Sequence, residues 1–182
     1  MAARSIVTSA AKTAALWAFI AFALLSVDGN AAEARDDARA VVQSLLTCWQ
    51  SNDYATFASL LHDDVRFAYP GGRLDKSQLL ALFRSYHQEK RDIRVYFWDH
   101  FFLSGERFFT AYQFAATDVK SGKRQAVGTG VAGEIKDGKI VLLKEYYDNE
   151  VAWHQYEGTL PLDEGTVMPW PARVWLRPDT ID

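Results

Sequence analysis

Cys48 is the only cysteine in 182 residues, so no internal disulfide is possible and the fold must rest on its hydrophobic core. Neither sign of charge is in excess. Lys and Arg number 20 against 23 Asp and Glu, and the net −3 leaves no electrostatic footprint for nucleic acid or an anionic membrane surface. The histidines (His62, His87, His100 and His154) are scattered, with no pair at i, i+4, so no helical zinc motif and no metal are expected. A glycine-rich phosphate loop, a G-x-S-x-G elbow and internal repeats are also missing, and no organic cofactor is implied. Apolar side chains, in contrast, are plentiful. Hydrophobic residues make up 49% of the chain and aromatic residues 14%, which points to a large core or an apolar cavity.

Residues 1–34 read as a targeting segment. Arg4 and Lys12 give a positive start, Ala14 to Val27 is an unbroken apolar run, and Ala32-x-Ala34 offers a small-residue cleavage site. The run is short for a membrane span, so the expectation is a cleaved signal peptide and a periplasmic or secreted protein, with an uncleaved anchor as the alternative. Residues 35–151 form the expected domain, and residues 152–182 a C-terminal extension.

Within the domain, Ala38, Val41, Val42, Leu45, Leu46 and Trp49 repeat at helical spacing over Asp36–Asn52. Cys48 falls on the apolar side of this helix, as a small buried hydrophobe. Asp53 caps a short second helix that turns Phe57, Leu60 and Leu61 inward. "VRFAYP" is a brief strand closed by Pro70-Gly71-Gly72, and Asp75 with Gln78 forms a capping box ahead of a third helix carrying Leu79, Leu82, Phe83 and Tyr86. From Asp92 onward, Ser104-Gly105, Ser121-Gly122 and Asp137-Gly138 punctuate four long segments rich in Val, Ile, Phe, Tyr and Thr. Three helices followed by an antiparallel meander predict an α+β fold with helices over one face of a strongly curved, mostly antiparallel sheet. Ala126, Gly128, Gly130 and Ala132 alternate onto one nearly bare face, a furrow suited either to a ligand or to close packing by the third helix or a partner subunit. After Asp148 periodicity stops. Trp153, Trp170 and Trp175 there argue for a tail strapped onto the domain or a neighbour.

The segments "LLHDDVRFAYPGG" and "IKDGKIVLLKEYYDN", at this spacing and in this element order, resemble the nuclear transport factor 2-like superfamily, and its SnoaL-like branch of polyketide cyclases, dehydratases and isomerases in particular. The resemblance spans about Asp36 to Val151. It implies a cone formed by a curved sheet wrapped on a long helix, a hydrophobic small-molecule pocket at the open end, and a homodimer through the sheet face. "WDHFFLSG" is similar to the segment in which scytalone-type dehydratases carry a catalytic histidine, which gives that role to His100. "FAYP" puts Tyr69 where they have a substrate-polarising tyrosine. "CWQSND" matches the segment of a Tyr-Asp pair, represented here by Trp49 and Gln50, and a second family histidine is missing. The steroid-isomerase acids would map to Tyr69 and near Gly130, so that mechanism is not expected. The acid of the SnoaL-type cyclases maps to Asp148.

The expected site therefore has His100 as base, Tyr69 as donor to a substrate carbonyl, and Asp148 beside them. Trp49, Gln50, Phe97, Trp98, Tyr112 and Tyr146 would hold a flat apolar ligand. Such groups suit proton abstraction next to a carbonyl, followed by elimination, isomerisation or ring closure without a cofactor. The competing expectation is a non-catalytic pocket or scaffold for an apolar ligand or protein partner. Convergence of His100, Tyr69 and Asp148 on one cavity is the geometric discriminator between the two.

Overall fold

The computed structural model describes residues 10–165, with side chains from residue 30 onward. Two units are distinguished, Met1–Asp37 and Ala38–Asp182. Of the signal-peptide expectation, the charged start at Arg4 lies outside the described residues, as do the tail tryptophans Trp170 and Trp175, while the apolar run lies within the first helix. Among the described residues no helix is long and apolar enough to cross a membrane.

Helix α1 spans Ala10–Ser51, and from Ala38 onward it belongs to the second unit. There its apolar stripe is buried as the spacing predicts. Val42, Leu45, Leu46 and Cys48 lie at 3% exposure or less. α2 (Tyr54–Leu60) starts at Asp53, whose carboxylate accepts the Thr56 N–H. α3 (Lys76–Glu89) carries the predicted capping box, Asp75 taking the Gln78 N–H while the Gln78 side chain takes the Asp75 N–H. Phe57 and Phe83 stack with ring centroids 4.4 Å apart at the centre of the core. Truncating either to alanine would cost about 3–5 kcal/mol.

The strands are β1 (Leu61–Tyr69), β2 (Gly72–Leu74), β3 (Lys90–Ser104), β4 (Arg107–Asp118), β5 (Arg124–Lys136) and β6 (Lys139–Tyr147). They form a curved, unclosed six-stranded sheet in the order β2-β1-β6-β5-β4-β3, with β1 and β6 parallel and the other pairs antiparallel. The α+β expectation holds. β1 is longer than the predicted strand and starts at Leu61, and β2 closes an unpredicted hairpin over Pro70-Gly71. Gly71 is needed there, because a Cβ on it would stand 2.6 Å from the folded-back Tyr69 ring.

Two irregularities decide which side chains face inward. In β3 the register runs from Phe97 opposite Tyr112 to Phe101 opposite Thr110, so four steps on β3 match two on β4. In the β5–β6 pair it shifts between Glu134 and Ile135, and as a result Ile140 and Leu143 both reach the core. The register of β5 with β4 is unbroken, so the furrow residues do share a face. That face lies away from the α1–α3 side. Gln113, the register partner of Gly128, is fully buried there beneath the segment at residues 163–165, with its amide bonded to Asp163 O and the Gly165 N–H. Phe109 leans over Gly130, 3.5 Å from where a Cβ would be. Within the chain the furrow is therefore packed over by Phe109 and by that segment, not by the third helix.

The segment after Asp148, expected to be irregular, begins with a helix, α4 (Asn149–Glu157). Its N-cap is Asp148, which accepts the Glu150 N–H, and Gly158 closes it in the left-handed region at φ 75°. Beyond the end of β6, the α4 residue Gln155 takes the place of a strand, its amide accepting from Ala126 N at 2.8 Å and donating to Ala126 O at 3.0 Å. The remaining segment is strapped down by Glu164, which Arg124 and Tyr96 both bond. Gln155→Ala would strand two buried backbone groups. We expect a loss of about 1–3 kcal/mol, read as a lower urea midpoint at unchanged slope.

Candidate functional site

The hollow between α1, α3 and the concave face of the sheet measures about 380 Å³. Its walls are aromatic, with Trp49 from α1, Phe57 from α2, Phe67 and Tyr69 from β1, Tyr86 from α3 and Phe114 from β4. Trp49 is fixed from behind by His87. That imidazole sits against the Trp49 and Phe83 rings, and its two nitrogens each stand 2.8 Å from a carbonyl, Nδ1 from Phe83 and Nε2 from Trp49. His87 is therefore a half-buried tie between α1 and α3.

Among the described residues, one acid lies inside this apolar shell. Glu145 of β6 lines the hollow, and its Oε1 accepts the Tyr112 hydroxyl at 2.6 Å. Over the whole residue Glu145 is half-buried, because part of its surface faces the hollow, and protein atoms crowd around its carboxyl. Burial pushes its pKa up to about 7, against the smaller opposing pull of the Tyr112 hydrogen bond. Tyr112, Tyr86 and Tyr147 all line the same space, and burial first and the neighbouring Glu145 charge second or third hold their phenols protonated well into alkaline pH. Tyr69, Tyr86 and Tyr147 make no side-chain hydrogen bond among the described residues. Their hydroxyls, and Oε2 of Glu145, are what the site can offer a guest.

Of the residues expected here, Tyr69, Trp49 and Tyr112 line the hollow, whereas His100, Asp148, Gln50, Phe97, Trp98 and Tyr146 do not. His100 sits in the β3 bulge and is exposed; only its backbone carbonyl is engaged, by Thr110 Oγ1 at 2.6 Å. Asp99 is turned out as well and pairs with Arg39 at 3.0 Å. Strict alternation would have sent one of the two inward, but the extra residues of the bulge put both in water. Asp148 is exposed and occupied as the α4 cap. Gln50 accepts the Val95 N–H at 3.2 Å, which ties α1 to the sheet. Phe97 and Tyr146 are 37% and 57% exposed, and Trp98 belongs to the bulge. The three-residue convergence of His100, Tyr69 and Asp148 is not formed. Glu145 was hidden by register, since counting by twos from the core residue Ile140 points Tyr146 inward, and the shift beside Ile140 reverses that. Anchoring the count on Leu143 would have found it.

Residues 42–143 match the model of the SnoaL-like domain, more than half of the chain. The chain belongs to the SnoaL-like family. This is a family of small-molecule-binding enzymes with the nuclear transport factor 2-like fold. Among solved structures, an LEH-like epoxide hydrolase of M. tuberculosis is similar at 20% identity and a TM-score of 0.59, over 66% of this chain and 90% of that one. IdmH of Streptomyces antibioticus, assigned as a polyketide cyclase, is similar at 16% identity and a TM-score of 0.59, over 66% and 98%. TsrD of Streptomyces laurentii is similar at 20% identity and a TM-score of 0.59, over 69% and 98%. At these identities the likeness concerns the fold. No curated protein matches the sequence.

The raised proton affinity of Glu145 has a consequence for stability. The folded state holds this proton up to about pH 7 while the unfolded chain releases it near 4.5, so stability is greatest below that range and falls as pH rises through it. Relative to Glu145→Gln, the wild type should lose no more than about 3 kcal/mol between pH 4.5 and pH 8. Urea unfolding of both proteins at the two pH values measures the difference.

Proposed function

We propose that this SnoaL-like protein is a cofactor-free lyase, isomerase or cyclase that abstracts a proton next to a carbonyl of a hydrophobic substrate, with Glu145 as its base. The observation that carries this reading is the desolvated Glu145 carboxyl bonded to Tyr112 inside an aromatic hollow. A carboxylate with a pKa of about 7 is a far better base than one in water, and it is ionised in about half of the molecules at neutral pH. Tyr112 holds Oε1, which leaves Oε2 to take the substrate proton. The electron pair left on carbon moves onto the carbonyl oxygen, where a phenol of Tyr69, Tyr86 or Tyr147 donates a hydrogen bond to the enolate. The glutamic acid then returns its proton, either to another carbon in isomerisation or to a departing oxygen in elimination. Every proton removed is accounted for on Glu145, with no metal or redox partner in the sequence of steps.

Export through the N-terminal segment belongs to the same proposal, as does pairing of two copies through the outer sheet face. Phe102 and Phe109, register partners on that face, are 62% and 44% exposed, which supports the pairing.

The test is exchange of α-protons for deuterium in a panel of aromatic ketones and hydroxy-ketones, followed by NMR. Exchange should rise with pH and level off above about 7, as Glu145 ionises. Glu145→Gln should slow it by about 10²–10⁴-fold, and His100→Ala should leave it unchanged. Tyr112→Phe removes the hydrogen bond that favours the ionised acid and should move the pH limb upward. Equal exchange by wild type and Glu145→Gln would sink the assignment and favour a binding protein.

A further inference from the structure

The hollow has a second polar end. Its lining on β4 extends from Tyr112 to Ala116, four residues or about 13 Å of strand. Glu145 marks the Tyr112 end. Beyond the Ala116 end stands Lys90, the one cationic side chain in the lining among the described residues. Lys90 and Asp118 are direct register partners, on the same face as Phe114 and Ala116, and Lys90 Nζ donates to Asp118 Oδ2 at 2.9 Å. Asp118 does not simply follow the lysine. Its Oδ1 accepts both the Ser121 N–H at 2.7 Å and the Ser121 hydroxyl at 2.8 Å, so the carboxylate is pinned by the β4–β5 turn. The pair is mostly shielded, with side chains 20% and 22% exposed.

An ammonium carries three donors, and a single one is used here. The other polar residue at this end, Gln125, spends one of its two amide N–H bonds on Ala152 O at 2.7 Å, so Lys90 is the charged donor left for a guest. A positive group held in place at the end of an apolar tube, with two N–H bonds unspent, matches a negative oxygen group better than an alcohol or a hydrocarbon. Asp118 lowers the net charge of this end. Lys90 lines the hollow and Asp118 does not, so a guest there faces the ammonium rather than the carboxylate.

We propose that Lys90 is a specificity residue, and that the substrate is an elongated, mostly apolar molecule carrying an anionic oxygen group, such as a carboxylate, at the end opposite its reacting carbonyl. The inference rests on reading the hollow as a substrate site, and the experiment separates the two ideas. Two fluorescent probes share the same rings, 8-anilinonaphthalene-1-sulfonate with an anionic group and N-phenyl-1-naphthylamine without one. Titrated at pH 8 on the full chain, the wild type should bind the sulfonate at least about tenfold more tightly than the neutral amine. Lys90→Met should reduce that preference to within about twofold, and Lys90→Arg should restore most of it. Glu145→Gln should keep the preference while losing turnover. Equal binding of both dyes by the wild type, or a preference that survives Lys90→Met, overturns the role of Lys90 and leaves the substrate site standing. If neither dye binds any variant, both ideas fall together.

Discussion

A carboxyl group kept from water and given one phenol as partner is the constraint around which this molecule is arranged. Desolvation of Glu145 works against the ionised form, and the Tyr112 hydroxyl recovers only part of the loss. Such a group survives in a folded protein because the surrounding core is strong enough to carry it. Here that core is the stack of Phe57, Phe83 and Trp49 beneath α1 and α3, with the inward residues of β1, β4, β5 and β6 facing it.

The hollow exists because the core stops short of filling the concave face. The stripe of α1 and the two buried residues of α3, Leu79 and Phe83, cover one part of the sheet, and the rest is lined by aromatic rings around open space. His87 keeps α1 and α3 at a set spacing through two backbone carbonyls, which fixes the Trp49 wall without a side chain entering the cavity. At the other end α4 substitutes a glutamine amide for the strand that β6 no longer provides, and its residue Ala152 becomes part of the lining. The C-terminal segment thus belongs to the site, although it lies outside the stretch matched to the family.

Much of this was legible in the chain. The helical repeat from Ala38 to Trp49, the Asp53 cap, the Asp75–Gln78 box and the turns at Gly105, Gly122 and Gly138 are local signals, and local signals survive folding because their causes lie within a few residues. The family resemblance was equally readable, and so were Tyr69, Trp49 and Tyr112 as lining residues. α4 was not, because its stability comes from Gln155 and its neighbours meeting β5, a contact no periodicity in the segment announces.

The expected convergence of His100, Tyr69 and Asp148 leaned on strict alternation, which the strands do not keep. A strand's side chains swap faces with each residue, so one extra residue in a bulge reverses every inference beyond it. His100 lies within the β3 bulge, whose two extra residues leave both it and Asp99 in solvent, and the one-residue shift beside Ile140 carried Glu145 inward. Sequence alone determined the first three helices, the long strands after them and the apolar character of the interior, since these follow from short-range spacing and composition. Tertiary structure decided which acid is buried, because facing is set by pairing between strands distant in the chain, and only that pairing takes a carboxyl out of water.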